Sequence, residues 1–94
     1  MEFELDARNL KHFREDHPER GITRALLDEI AASSPTVFEN EPRENRSGSH
    51  IVVGQDRGGR FWTIVVLHMR AEIWPPITGW PSTSAEIRRH KEMQ

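Results

Sequence analysis

The chain contains no cysteine. That excludes a disulfide framework, a thiolate metal site and a cysteine nucleophile, and it fits a reducing compartment. Long apolar runs are missing too: the longest is Ile64 to Leu67, far too short to span a bilayer. The opening Met1-Glu2-Phe3-Glu4-Leu5-Asp6 has neither a basic nor an apolar stretch, so no signal peptide and a cytoplasmic location are expected. Glycine clusters only at Gly58-Gly59, without the lysine and helix start that a phosphate loop needs. Repeats and low-complexity tracts are absent.

What is present suits one small domain spanning residues 1–94. The hydrophobic fraction is 35% and the charged fraction 30%, enough for one modest core under a well-solvated surface. The formal net charge is −2, but it is unevenly spread. Residues 1–56 carry 7 Lys/Arg and 12 Asp/Glu, while residues 57–94 carry 6 and 3. The C-terminal part is therefore the half suited to face a phosphate backbone, although six basic residues over that length are also what ordinary surface charge supplies.

Phe3 to Leu5 reads as a short edge strand or extended arm. Asp6 is placed to cap a helix over Ala7 to His17, which Pro18 ends. Ile22, Ala25, Leu26, Leu27 and Ile30 give an i, i+3, i+4, i+8 pattern, the clearest helical stripe in the chain. Gly21 or Thr23 caps it and Ser33-Ser34-Pro35 stops it. Thr36 to Glu39 is a very short strand or a turn, and the polar Glu39 to Ser49 is a loop. A strand begins at Ile51 to Gly54, and Asp56-Arg57-Gly58-Gly59 turns it back. Arg60 to Met69 is apolar on both faces, which predicts a central strand covered by a helix. Glu72 to Trp74 is expected to pair next, Pro75-Pro76 to end the pairing or confine it to an edge, and Ile77 to Pro81 to be irregular. Thr83 and Glu86 form a capping box for a last helix over Ala85 to Met93. The fold class is α+β: a small antiparallel β-meander packed by two N-terminal helices and one C-terminal helix.

Five histidines invite a metal reading, but His12 and His17 are five apart and share no helix face. His50 and His68 come out nearly opposite across the turn, yet lack a third ligand at metal spacing. No metal or cofactor is expected. Of the three tryptophans, Trp62 suits the core. Trp74 and Trp80 flank Pro75-Pro76, where they either cover the end of the sheet or present a docking surface to a partner. Lys11, His12, Arg57, Arg60, His68, Arg88, Arg89 and His90 supply the groups that cleavage of RNA through its 2′-hydroxyl requires, if the helices bring them together. Such cleavage needs a base, an acid and cations on the phosphorane.

"EFELDARNLKHF", "HIVVGQDRGGRFWTIVVLHM" and "ITGWPSTSAEIRRHKE" resemble the BrnT-type toxins of bacterial type II toxin–antitoxin systems over most of the chain. Asn9, Lys11 and His12 match that family's first-helix motif, Gly59-Arg60 its turn, Ile77-Thr78 its Ile-Ser, and Glu86 with Arg88 or Arg89 its final helix. The resemblance implies a RelE-like fold, endoribonuclease activity and neutralisation by a cognate antitoxin, typically a ribbon-helix-helix protein. Lys11 and His12 would take acid–base or phosphate roles; Arg57, Arg60, Arg88 and Arg89 would hold phosphate; His90 would replace the family's tyrosine. Two usual arginine positions differ, one at Trp80 and one in the segment ending Pro75-Pro76. They point to the alternative, a non-catalytic relative that binds a partner through Trp74 and Trp80.

Overall fold

The computed structural model describes residues 2–4, 11, 20–40, 49–67 and 74–93. Six elements follow one another: α1 (Arg24–Ala32), β1 (Thr36–Glu39), β2 (His50–Gln55), β3 (Phe61–Val66), β4 (Pro76–Pro81) and α2 (Ser84–Glu92). The class is α+β. The strands form one antiparallel sheet in the order β1-β2-β3-β4, a meander with β3 inside and β1 and β4 at its edges. The expected helix over Ala7 to His17 lies outside the described residues except for Lys11, which is helical and exposed.

α1 forms where the apolar spacing predicts it. Thr23 caps it, its Oγ1 accepting from the Leu26 amide at 3.2 Å. Leu26, Leu27 and Ile30 are buried, each burial being worth about 1.5–3 kcal/mol. The helix ends on Ser33, whose hydroxyl donates to the Ile30 carbonyl (2.7 Å) and accepts from the Gln55 amide (3.1 Å). One hydroxyl thus closes the helix and ties it to β2. Ser34 follows in the left-handed region (φ 58°), where a glycine would sit without strain.

Alternation along the strands sorts the sheet into two faces. Val52, Trp62, Ile64 and Val66 join Phe3, Ile22, Leu26, Leu27 and Ile30 in the core beneath α1. Thr36, Phe38, Val53, Phe61, Thr63, Val65 and Trp80 point the other way, toward α2. β3 is buried on both faces, as its composition predicts. A helix therefore lies on each side of the sheet.

The hairpin between β2 and β3 is a three-residue loop. The Gly59 amide donates to the Asp56 carbonyl (3.0 Å), the Asp56 amide donates to the Arg60 carbonyl (2.9 Å), and Gly59 alone takes a positive φ, 88°. The pairing register sets His50 against Val66. His68 lies outside the described residues, as do Arg70-Ala71, Glu72-Ile73 and the greater part of the Glu39–Ser49 loop.

One expectation needs correcting. Ile77 to Pro81 is not irregular: it belongs to β4, paired to β3 from Trp62–Pro81 to Val66–Pro76 with a register shift between Val65 and Val66. An edge strand tolerates proline because one row of its backbone groups has no ladder to complete. Gly79 is needed there, since a Cβ would sit 2.6 Å from Ile64 Cδ1 and 3.0 Å from Ile22 Cδ1. Arg20 reaches this edge, its guanidinium donating to the Gly79 carbonyl at 3.0 Å.

The last helix begins with the expected capping box. The Glu86 amide donates to Thr83 Oγ1 (3.2 Å) and the Thr83 amide to Glu86 Oε1 (2.7 Å). No helix among the described residues is long and apolar enough to cross a membrane.

Candidate functional site

The candidate cations divide between two places. Arg57 and Arg60 are exposed at the β2–β3 hairpin. The Arg57 amide donates to Glu29 Oε1 at 2.7 Å, which pins the hairpin tip to α1. Arg60 lays its guanidinium 4.9 Å from the centre of the Trp62 ring, a cation–π contact on the α1 face of the sheet. Asp56 organises this corner. Its two carboxylate oxygens accept from the Trp62 indole (3.1 Å) and from the Arg60 amide (2.9 Å). The indole hydrogen bond, then the Arg60 amide, hold its carboxyl below the ordinary aspartate value.

Arg88 and Arg89 are exposed on α2. Arg89 lies over the Phe38 ring at 4.3 Å, on the opposite face of the sheet from Trp62. The structure therefore seats Arg60 and Arg89 on opposite faces and does not bring them together. Arg88 and Lys91 line an open depression of about 470 Å³ with Ser84, Ile87 and Glu92. The solvent side of α2 thus offers two cations and a partly buried isoleucine, a surface able to meet a phosphate backbone.

His90 is inside. It is 6% exposed, with Nδ1 2.7 Å from Thr36 Oγ1 and its ring edge-on to Phe61 at 5.4 Å between centroids. A group so enclosed is placed to hold α2 on β1. Lys11 is exposed, and His12 lies outside the described residues.

Trp74 and Trp80 do not share a surface. Trp74 packs against the core under α1, its ring edge-on to that of His50 with 5.2 Å between centroids. Trp80 is on the α2 face, its indole donating to both Glu86 oxygens at 3.1 and 3.3 Å. The carboxylate of the capping box therefore also latches α2 to β4. Sequence reasoning missed Asp56 and Glu29 as organisers of the hairpin corner. Asp56 was legible as a turn residue, whereas nothing local in the sequence links Glu29 to it.

Among the described residues no group of three or more His, Asp or Glu side chains could hold a metal ion. No protein family, curated protein or solved structure matches the chain.

Proposed function

We propose that this chain is a BrnT-like toxin: an endoribonuclease that works in the cytoplasm and is neutralised by a cognate antitoxin, of ribbon-helix-helix type. Support comes first from the resemblance. Its motifs fall on successive elements of one sheet and its terminal helix: Gly59-Arg60 in the hairpin, Ile77-Thr78 in β4, Glu86 and Arg88 in α2. The observation that carries most weight is the solvent-facing cation set, Arg57 and Arg60 at the hairpin and Arg88 on α2, in the half of the chain with net positive charge. The helix expected over Ala7 to His17, with Lys11 and His12, would complete a RelE-like arrangement with two N-terminal helices.

In this reading a base from the first helix removes the proton of an RNA 2′-hydroxyl. The oxygen attacks the adjacent phosphorus, and the departing 5′-oxygen takes up a proton from an acid. Lys11 and His12 supply the acid–base pair, Arg60 with Arg57 beside it neutralises the phosphorane, and Arg88, across the sheet on α2, holds a more distant phosphate of the RNA. Arg89, exposed and lying 4.3 Å over the Phe38 ring, would hold a further phosphate on the α2 side. His90 acts as a positioning residue that fixes α2 through Thr36.

A second reading is a partner-binding relative without catalysis. It is favoured by the enclosure of His90 and by Trp80, an indole bonded to Glu86 where the resemblance expects an arginine. Expression of the chain without a partner separates the two. A toxin arrests growth and fragments cellular RNA, and His12→Ala with Arg60→Ala abolishes both effects. Normal growth with whole RNA overturns the nuclease reading and leaves the binding one.

A further inference from the structure

We propose that Asp56 and Trp62 are positioning residues for Arg60: together they hold its guanidinium at one place on the hairpin corner and present it to a phosphate group. The nuclease reading supplies the identity of the anion, and the geometry of the corner supplies the rest. Trp62 is buried in the core under α1, so its ring is a fixed platform. The Arg60 guanidinium lies over that ring, 4.9 Å from its centre. Asp56 accepts from the indole at 3.1 Å and from the Arg60 amide at 2.9 Å. One carboxylate thus ties the platform to the main chain of the residue that rests on it.

The loop bearing these groups is braced on every side. The Asp56 amide donates to the Arg60 carbonyl (2.9 Å), the Gly59 amide to the Asp56 carbonyl (3.0 Å), the Gln55 side-chain amide to the Gly59 carbonyl (3.0 Å) and the Arg57 amide to Glu29 (2.7 Å). The cation is held but not neutralised. No carboxylate among the described residues forms an ion pair with Arg60, and Asp56 directs its two oxygens to neutral donors. Arg20 differs, since its guanidinium is engaged by the Gly79 carbonyl at 3.0 Å. An indole face attracts a guanidinium and leaves the N–H groups at its edges free, and a phosphate accepts from two of them at once. A cation fixed before the substrate arrives loses less freedom on binding and stays aligned with the charge that develops on phosphorus.

NMR relaxation of the arginine Nε–H groups, on the full chain without RNA, reads the positioning directly. The Arg60 order parameter is expected above about 0.6, and that of the exposed Arg88 below it. Asp56→Asn offers one acceptor oxygen where two are used. It is expected to bring Arg60 down to the Arg88 level and to leave Arg88 unchanged, at a temperature where both proteins are folded. Trp62→Phe, which keeps a ring and removes the indole N–H, is expected to do the same. RNA cleavage supplies the second readout. By charge alone, loss of a carboxylate beside a polyanion speeds cleavage. Misplacement of Arg60 slows it, on the order of tenfold, and the slowing vanishes in an Arg60→Ala background. An Arg60 as mobile as Arg88, or one whose order neither substitution changes, overturns the proposal, as does an Asp56→Asn chain that cuts RNA as fast as an active parent. An ordered Arg60 that both substitutions loosen, in a chain that leaves RNA whole, contradicts the nuclease reading and upholds the positioning.

Discussion

His90 and Thr36 are 54 positions apart in sequence, and their side chains meet at 2.7 Å in the interior, joining the last helix to the first strand of the sheet. Thr36→Val keeps the shape and removes the hydroxyl, leaving a buried imidazole nitrogen without that partner. The variant should lose about 1–3 kcal/mol in urea unfolding. A loss below about 0.5 kcal/mol would show that the contact adds nothing to stability.

Ser34 is the one non-glycine residue at positive φ among those described. Its side chain is exposed, so Ser34→Gly relieves the backbone without emptying a packed site. Relief of left-handed strain outweighs the added freedom of glycine in the unfolded chain, for a net gain of about 0.5–1 kcal/mol. Thermal unfolding of the two proteins side by side measures it, and an unchanged or lower midpoint refutes the strain.

Gly79→Ala tests the close approach of β4 to Ile64 and Ile22. The added methyl would also lie 3.0 Å from the Thr63 carbonyl, which cannot rotate away. Overpacking of this kind costs about 1–3 kcal/mol. Gly54→Ala should behave alike, since its Cβ meets Ser33 Oγ at 2.8 Å and Pro35 Cβ at 2.9 Å. Tolerance of both substitutions would mean that β4 lies farther from Ile64 and Ile22, and β2 farther from the end of α1, than the geometry shows.

Asp56 makes stability depend on acid. Its folded carboxyl is held below the ordinary value, by the Trp62 indole first and the Arg60 amide next. The contribution is therefore complete above the ordinary carboxylate range and is lost as pH falls toward and through the depressed value. Asp56→Asn should be less stable than the parent at neutral pH, and the gap should narrow as the solution is acidified. Urea midpoints that run parallel across the acidic range would contradict this.

Much of the framework is legible in the residues. The 22-25-26-30 stripe marks α1, the two-faced apolar run marks β3 as central, and Thr83 with Glu86 marks the start of α2. β4 was hidden because Pro76, Gly79 and Pro81 each read as strand breakers, and only their place at an edge, against Ile64 and Ile22, makes them suitable. The placement of the site residues was less legible. Face assignment follows from register, and a sequence does not say that Trp62 and Phe38 carry Arg60 and Arg89 to opposite sides. Nor does the pattern of a polar helix reveal that His90 is its one enclosed side chain.

The nuclease reading is tested most directly by incubating the purified chain with a labelled single-stranded RNA and with the same sequence carrying 2′-O-methyl groups. A toxin that works through the 2′-hydroxyl cuts the first, spares the second, and loses its activity in the Lys11→Ala, Arg60→Ala variant. An RNA left whole by a stoichiometric amount of folded protein, or equal cutting of both substrates, would contradict it.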